Sequence, residues 1–218
     1  MVRRVGGSLR ASLIEAAKDA DISGSLVVTP EAFNVRKGYW YPDRELDPSI
    51  RIALTDLSTK FKIALVTGLI EEGDAQGPGY SSAYLIDGQA SHLLTRKMEN
   101  DGSENYRCCT EDFDKPVEYG GLSIAALICM DAADFSQRNQ QQAAVLEQMA
   151  LHGTKKKLLC VPSHMMSYGS KEVALAWPVG VAVVVANSSP KQPSVLRFGT
   201  EARCCRVNES VVKITDLP

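Results

Sequence analysis

The sequence predicts an α/β fold, and three observations carry that reading. Short runs at residues 25–29, 62–70, 122–128, 157–161 and 179–186 are apolar almost throughout rather than alternating, the pattern of strands buried on both faces. Between several of them lie longer stretches whose Leu, Ile and Ala recur at helical spacing, so strands and helices alternate along the chain. The 218 residues, 44% of them apolar, are enough for one α/β core. No repeat or linker interrupts them, and residues 1–218 read as a single domain.

From Ser8 onward, Leu9, Leu13, Ala16 and Ala17 set out a first helix, and residues 21–24 are turn chemistry. The first buried strand, 25–29, is closed by Pro30, with Glu31 immediately after it. Residues 34–47 are polar and aromatic, with Tyr39, Trp40 and Tyr41, and read as a loop. Asp47-Pro48-Ser49 opens a second helix, which runs to about Lys60. A buried strand at 62–70 and a Gly-rich acidic turn follow. Residues 82–86 and 90–95 form a hairpin about Asp87-Gly88, with Arg96-Lys97 at its end, and residues 98–115 form a polar loop. The strand at 122–128 ends on Cys129, and a helix follows from Ser136 to His152. A strand at 157–161 ends at Pro162-Ser163-His164. Residues 169–177 suggest a helix, and 179–186 a strand ending near Asn187. Three short strands fall at 195–198, 202–207 and 211–214.

Charge and cysteine usage exclude several classes. The formal net charge is -2, and the one basic cluster, Lys155-Lys156-Lys157, is too small for a nucleic-acid surface. Residues 1–8 lack the apolar stretch of a secretory signal. The longest apolar run, 179–186, is too short to cross a bilayer. The six cysteines include two adjacent pairs, Cys108-Cys109 and Cys204-Cys205, which make a poor disulfide framework. No zinc spacing is present. The expectation is a cytoplasmic protein with reduced thiols and neither nucleic-acid nor membrane partners.

Cys129 stands at a strand-to-turn junction, where reactive groups collect in open α/β sheets. A helix N-terminus just beyond it would favour a thiolate. At this point Cys129 reads equally as a reactive thiol or as a buried structural cysteine. Glu31 and Lys97 also fall just after strands, and each alone reads as a solvated loop charge. Together the three are what thiol chemistry needs. The thiolate is the nucleophile, a carboxylate can take its proton, and an ammonium can stabilise the thiolate and the oxyanion that forms on a carbonyl.

With Val28-Thr-Pro-Glu-Ala-Phe33, Leu94-Thr-Arg-Lys-Met98 and Ile128-Cys-Met-Asp131 in that order, the chain resembles the nitrilase superfamily of carbon–nitrogen hydrolases. Val161-Pro-Ser-His164 and Val185-Ala-Asn187 also look like family strand ends. The resemblance implies a four-layer α-β-β-α sandwich, no metal or cofactor, and two units pairing through helices beside the active site. It implies Glu31 as general base, Lys97 as oxyanion stabiliser and Cys129 as nucleophile, with Glu104 as a second glutamate and Glu99 its rival. The Met130 backbone N–H would join the oxyanion site, and Ser163 and His164 would line the substrate pocket. Cys-Met-Asp, in place of the Cys-Trp-Glu of nitrilases proper, favours amide over nitrile.

The chain departs from the family at its first strand, reduced to residues 2–5, in its compressed segment after Asn187, and at Ala132-Ala133, where amidase-type members place an Arg. The expected activity is hydrolysis of a linear amide or carbamoyl compound through a thioester on Cys129. The alternative is a catalytically silent relative serving in binding or assembly. The helix after Phe135, with Ala143, Leu146, Met149 and Ala150, offers an apolar stripe for a homodimer, though such a stripe more commonly packs on its own sheet.

Overall fold

The computed structural model describes residues 2–19, 21–37, 45–75, 77–98, 106–109, 116–132, 140–151, 156–164, 180–187, 194–198, 201–205 and 211–213. It is a mixed α/β structure. Its helices are α1 (Val2–Asp19), α2 (Ile50–Phe61) and α3 (Gln140–Leu151). Helix α1 begins six residues before the expected start and takes up residues 2–5. The expected helix at 169–177 lies outside the described residues.

The first sheet joins β1 (Ser25–Val28), β4 (Ala64–Ile70), β5 (Ser81–Ile86), β6 (Ser91–Arg96) and β13 (Val211–Lys213) in the order β13-β1-β4-β5-β6. The second joins β7 (Val117–Tyr119), β8 (Leu122–Ala126), β9 (Lys156–Ser163), β10 (Ala182–Asn187), β11 (Ser194–Phe198) and β12 (Glu201–Cys205) in the order β12-β11-β10-β9-β8-β7. Strands β1 and β4 run parallel, as do β8, β9 and β10. A small hairpin, β2 (Val35–Lys37) with β3 (Glu45–Leu46), stands where a plain loop was expected.

Alternation along the strands sorts the core. One cluster takes Leu26, Val28, Val66 and Leu85 from the first sheet together with Ile124, Ile128, Leu158 and Val184 from the second, so the two sheets share an interior. The opposite face of the first sheet, with Val27, Leu65 and Ile86, packs on Leu13 of α1 and Leu54 and Leu57 of α2. The opposite face of the second, with Ala125, Leu159 and Val183, packs on Val145 and Met149 of α3. Met149 therefore covers its own sheet, while Leu151 at the end of α3 is 75% exposed. Burying one such aliphatic side chain is worth about 1.5–3 kcal/mol.

Local chemistry fixes the elements. Asp47 Oδ1 accepts from Ser49 N (3.0 Å) and Ser49 Oγ (2.6 Å), closing the turn that starts α2. Asp87 Oδ1 accepts from Gln89 N and Ala90 N in the β5–β6 hairpin. Strand β7 was not anticipated, although Gly120-Gly121, with φ of 57° and 80°, is the two-residue hairpin signal that would have found it.

Candidate active site

Strand direction brings the carboxyl ends of β1, β4 and β6 to one edge of the first sheet, and those of β8, β9 and β10 to one edge of the second. Glu31 and Lys97 leave the first edge; Cys129, His164 and Asn187 stand at the second.

Glu31 is positioned by a chain that runs past the end of β1 while still holding β4. Thr29 N donates to Val66 O and Phe33 N to Gly68 O, both at 2.8 Å. Asn34 then clamps Ile70, donating to its carbonyl at 2.7 Å and accepting from its N–H at 2.8 Å. Between these anchors Ala32 is held at φ 53°. Gly68 is needed here: a Cβ on it would stand 2.7 Å from Glu31 Cα and 3.0 Å from Pro162 Cβ, closer than side chains approach.

Lys97 faces inward because β6 carries an irregularity. Tyr84 pairs with Leu93, yet Ala83 pairs with Thr95, so Leu94 is an extra residue. Both Leu94 and Thr95 are buried, and the pairing phase shifts by one. Arg96 therefore turns to the outer face, where Glu71 takes its Nε at 3.1 Å, and Lys97 turns toward Glu31. Burial alone would raise the pKa of Glu71, but hydrogen bonds from Ser82, Arg96 and Tyr84 outweigh it and hold the carboxyl below its ordinary value. Lys97 N donates to Ser81 O at 2.7 Å.

Strand β8 delivers Cys129 at the start of a 3-10 turn, Cys129–Ala132. Ile128 already faces the shared interior, and regular alternation would send the next side chain outward. A φ of 45° at Cys129 instead keeps the thiol inside, among the residues of the inter-sheet cluster. Such a conformation costs a non-glycine residue about 1–3 kcal/mol and persists where its surroundings over-determine it.

The three side chains meet. Lys97 Nζ lies 2.9 Å from Glu31 Oε1, with both side chains fully buried, and Ser81 Oγ donates to the same oxygen at 3.1 Å. Glu31 Oε2 is buried with no hydrogen-bond partner among the described residues. The Tyr106 ring stands 5.0 Å from Lys97 Nζ. Cys129, 5% exposed, places Sγ 3.5 Å from His164 O. Burial first, then the Glu31 charge, push its thiol up to about 12, while Lys97 and backbone hydrogen bonding at His164 pull the other way. Burial and the Glu31 charge thus work against the thiolate that a nearby helix N-terminus was expected to favour.

Met130 lies in the 3-10 turn, Ser163 is buried at the end of β9, and His164 follows it, half-buried. Glu104 and Glu99 lie outside the described residues. Among the described residues no group of three His, Cys, Asp or Glu could hold a metal ion. Sequence reasoning passed over Ser81 and Gly68; a serine and a glycine inside otherwise apolar strands were the available signals.

A buried thiol, carboxylate and ammonium thus stand at the facing edges of the two sheets. The family model for carbon–nitrogen hydrolases matches residues 8–135. The chain belongs to that family and is a carbon–nitrogen hydrolase of the nitrilase superfamily.

Two solved structures of similar fold illustrate the likeness. The carbon–nitrogen hydrolase from Helicobacter pylori G27 aligns with a TM-score of 0.64 at 15% identity, over 96% of this chain and 81% of that one. A mutant of the amidase from Nesterenkonia sp. AN1, in complex with acrylamide, aligns with a TM-score of 0.59 at 16% identity, over 99% and 85%. Among curated proteins, none matches the chain.

Proposed function

We propose that this hydrolase cleaves the carbon–nitrogen bond of a small linear amide or carbamoyl compound through a thioester on Cys129. The observation that carries the reading is the contact of Lys97 Nζ with Glu31 Oε1 at 2.9 Å, beside a thiol whose proton Glu31 is placed to influence. Support comes also from the amidase of Nesterenkonia sp. AN1, one mutant of which shows Michael addition of acrylamide at its active site cysteine.

In the proposed reaction Glu31 takes the thiol proton as Cys129 Sγ attacks the carbonyl carbon. The oxyanion is held by the Lys97 ammonium and the Met130 backbone N–H. Glu31 returns the proton to the departing nitrogen, the carbon–nitrogen bond breaks, and ammonia or an amine leaves. Water, deprotonated by Glu31, then attacks the thioester. The acid is released and the thiol regains its proton. Glu104 is proposed as the second glutamate, and Ser163 and His164 as pocket residues.

The same reading takes the chain as one four-layer α-β-β-α unit, supported by helices on the outer face of each sheet. It takes the unit as a homodimer in the cytoplasm, with exposed Leu151 at an end available for pairing. An ammonia-release screen over short aliphatic amides, ureido compounds and nitriles tests the function. Release from amides or ureido compounds is expected. Release from nitriles alone would overturn the substrate class, and no release from any would favour a silent relative.

A further inference from the structure

Asp131 is a buried carboxylate, 1% exposed, that the proposed chemistry does not use. It lies two residues past Cys129 in the 3-10 turn, and its own N–H donates to Ile128 O at 3.0 Å. Its two carboxylate oxygens, Oδ2 and Oδ1, accept from Met98 N at 3.2 and 3.3 Å. Met98 is the residue after Lys97.

That contact therefore ties the turn bearing the thiol, on one sheet, to the end of β6, on the other. Two further bonds fix the Lys97 backbone: its N–H donates to Ser81 O at 2.7 Å, and its carbonyl accepts from Cys109 N at 3.0 Å. Neither reaches the second sheet. Asp131 thus spans the gap across which Lys97 and Cys129 have to keep their distance, and it braces the turn in which Cys129 is held at φ 45°.

We propose that Asp131 is a positioning residue that acts through the Met98 N–H to hold Lys97 in register with Cys129. The inference rests on the reading above, in which Lys97 is the cation and Cys129 the nucleophile. An acceptor oxygen at the reach of Asp131 is what Met98 N needs, so an amide of the same shape keeps the function and a shortened side chain loses it.

The test is the pH profile of Cys129 alkylation by iodoacetamide, mapped by mass spectrometry, which needs no substrate. Asp131→Ala is expected to slow alkylation of Cys129 at neutral pH by about tenfold, as when the thiolate population falls to a tenth, and to move the profile to higher pH. Asp131→Asn is expected to stay within about threefold of the parent, because its Oδ1 still accepts. Asp131→Ser, whose hydroxyl is too short to reach Met98, should behave as the Ala variant and serves if that one does not fold.

Equal profiles for the parent, Asp131→Ala and Asp131→Ser would overturn the proposal. So would equal slowing in Asp131→Asn and Asp131→Ala, which would mean that charge rather than the acceptor matters. If the alkylation contrast holds while the parent cleaves no amide, positioning stands and the proposed function fails. If amides are cleaved without the contrast, the positioning role fails alone.

Discussion

Lys97 and Glu31 form an ion pair at 2.9 Å with neither side chain reaching solvent. Taking two charges out of water costs several kcal/mol per ion, and the pair offsets that only while both members are present. Removing one leaves the other stranded: Lys97→Met is expected to cost about 3–5 kcal/mol of folding stability. Glu31→Gln alone should also destabilise, and the double variant Glu31→Gln with Lys97→Met should regain part of these losses, because no lone charge remains buried, while hydrolysis stays absent in all three. Urea unfolding of the set measures the coupling. Strict additivity of the two losses would show that the pair is not coupled as described.

At Gly68, β4 is flanked by the Glu31 loop and by Pro162 of β9. An added methyl would stand 2.7 Å from Glu31 Cα, and that neighbour is backbone, which cannot swing aside. Gly68→Ala is expected to destabilise by about 1–3 kcal/mol. It should also lower kcat through displacement of Glu31, with a smaller change in KM. Unchanged stability and turnover would mean that the loop tolerates movement.

Among the described residues, alkaline pH separates folded from unfolded chain at four groups. Burial pushes the Cys129 thiol from 9.0 to about 12 and the Tyr84 phenol from 10.0 to about 12, and it also raises the Cys160 thiol and the Tyr119 phenol. Each folded-state value lies above the unfolded one. The stability these groups contribute is therefore complete below about pH 9 and is lost as pH rises from there toward 12. Urea unfolding between about pH 8 and about pH 10.5 should show falling stability, less steep in Cys129→Ala, which lacks one of the four protons. An identical slope in that variant would rule out a raised thiol at Cys129.

Much of this was legible in the sequence because buried strands announce themselves. Glu31, Lys97 and Cys129 could be placed at strand ends since residues 25–28, 91–96 and 122–126 carry clear apolar or hairpin patterns. Their facing was less legible. Nothing in Ser91-His-Leu-Leu-Thr-Arg-Lys97 says that Leu94 is an extra residue, since either phase buries a leucine. The irregularity that turns Lys97 rather than Arg96 inward is settled by pairing with β5. The left-handed φ of Cys129 is likewise a product of packing. The push against the thiolate expected from a nearby helix end comes from burial and the Glu31 charge, which only the assembled fold brings to Cys129. The hairpin β2–β3 was hidden by its length, two or three residues per strand, below what alternation can register.

The central claim is that Cys129 is the nucleophile, and it is tested most directly by the rate of ammonia release from an amide that the parent cleaves, measured for Cys129→Ser. The swap is nearly isosteric, and a hydroxyl beside a carboxylate suited to a thiol is a far weaker nucleophile. The account predicts a loss of at least about a thousandfold in kcat with the fold retained, since the oxyanion donors act only once attack has occurred. Turnover by Cys129→Ser within about tenfold of the parent would contradict it.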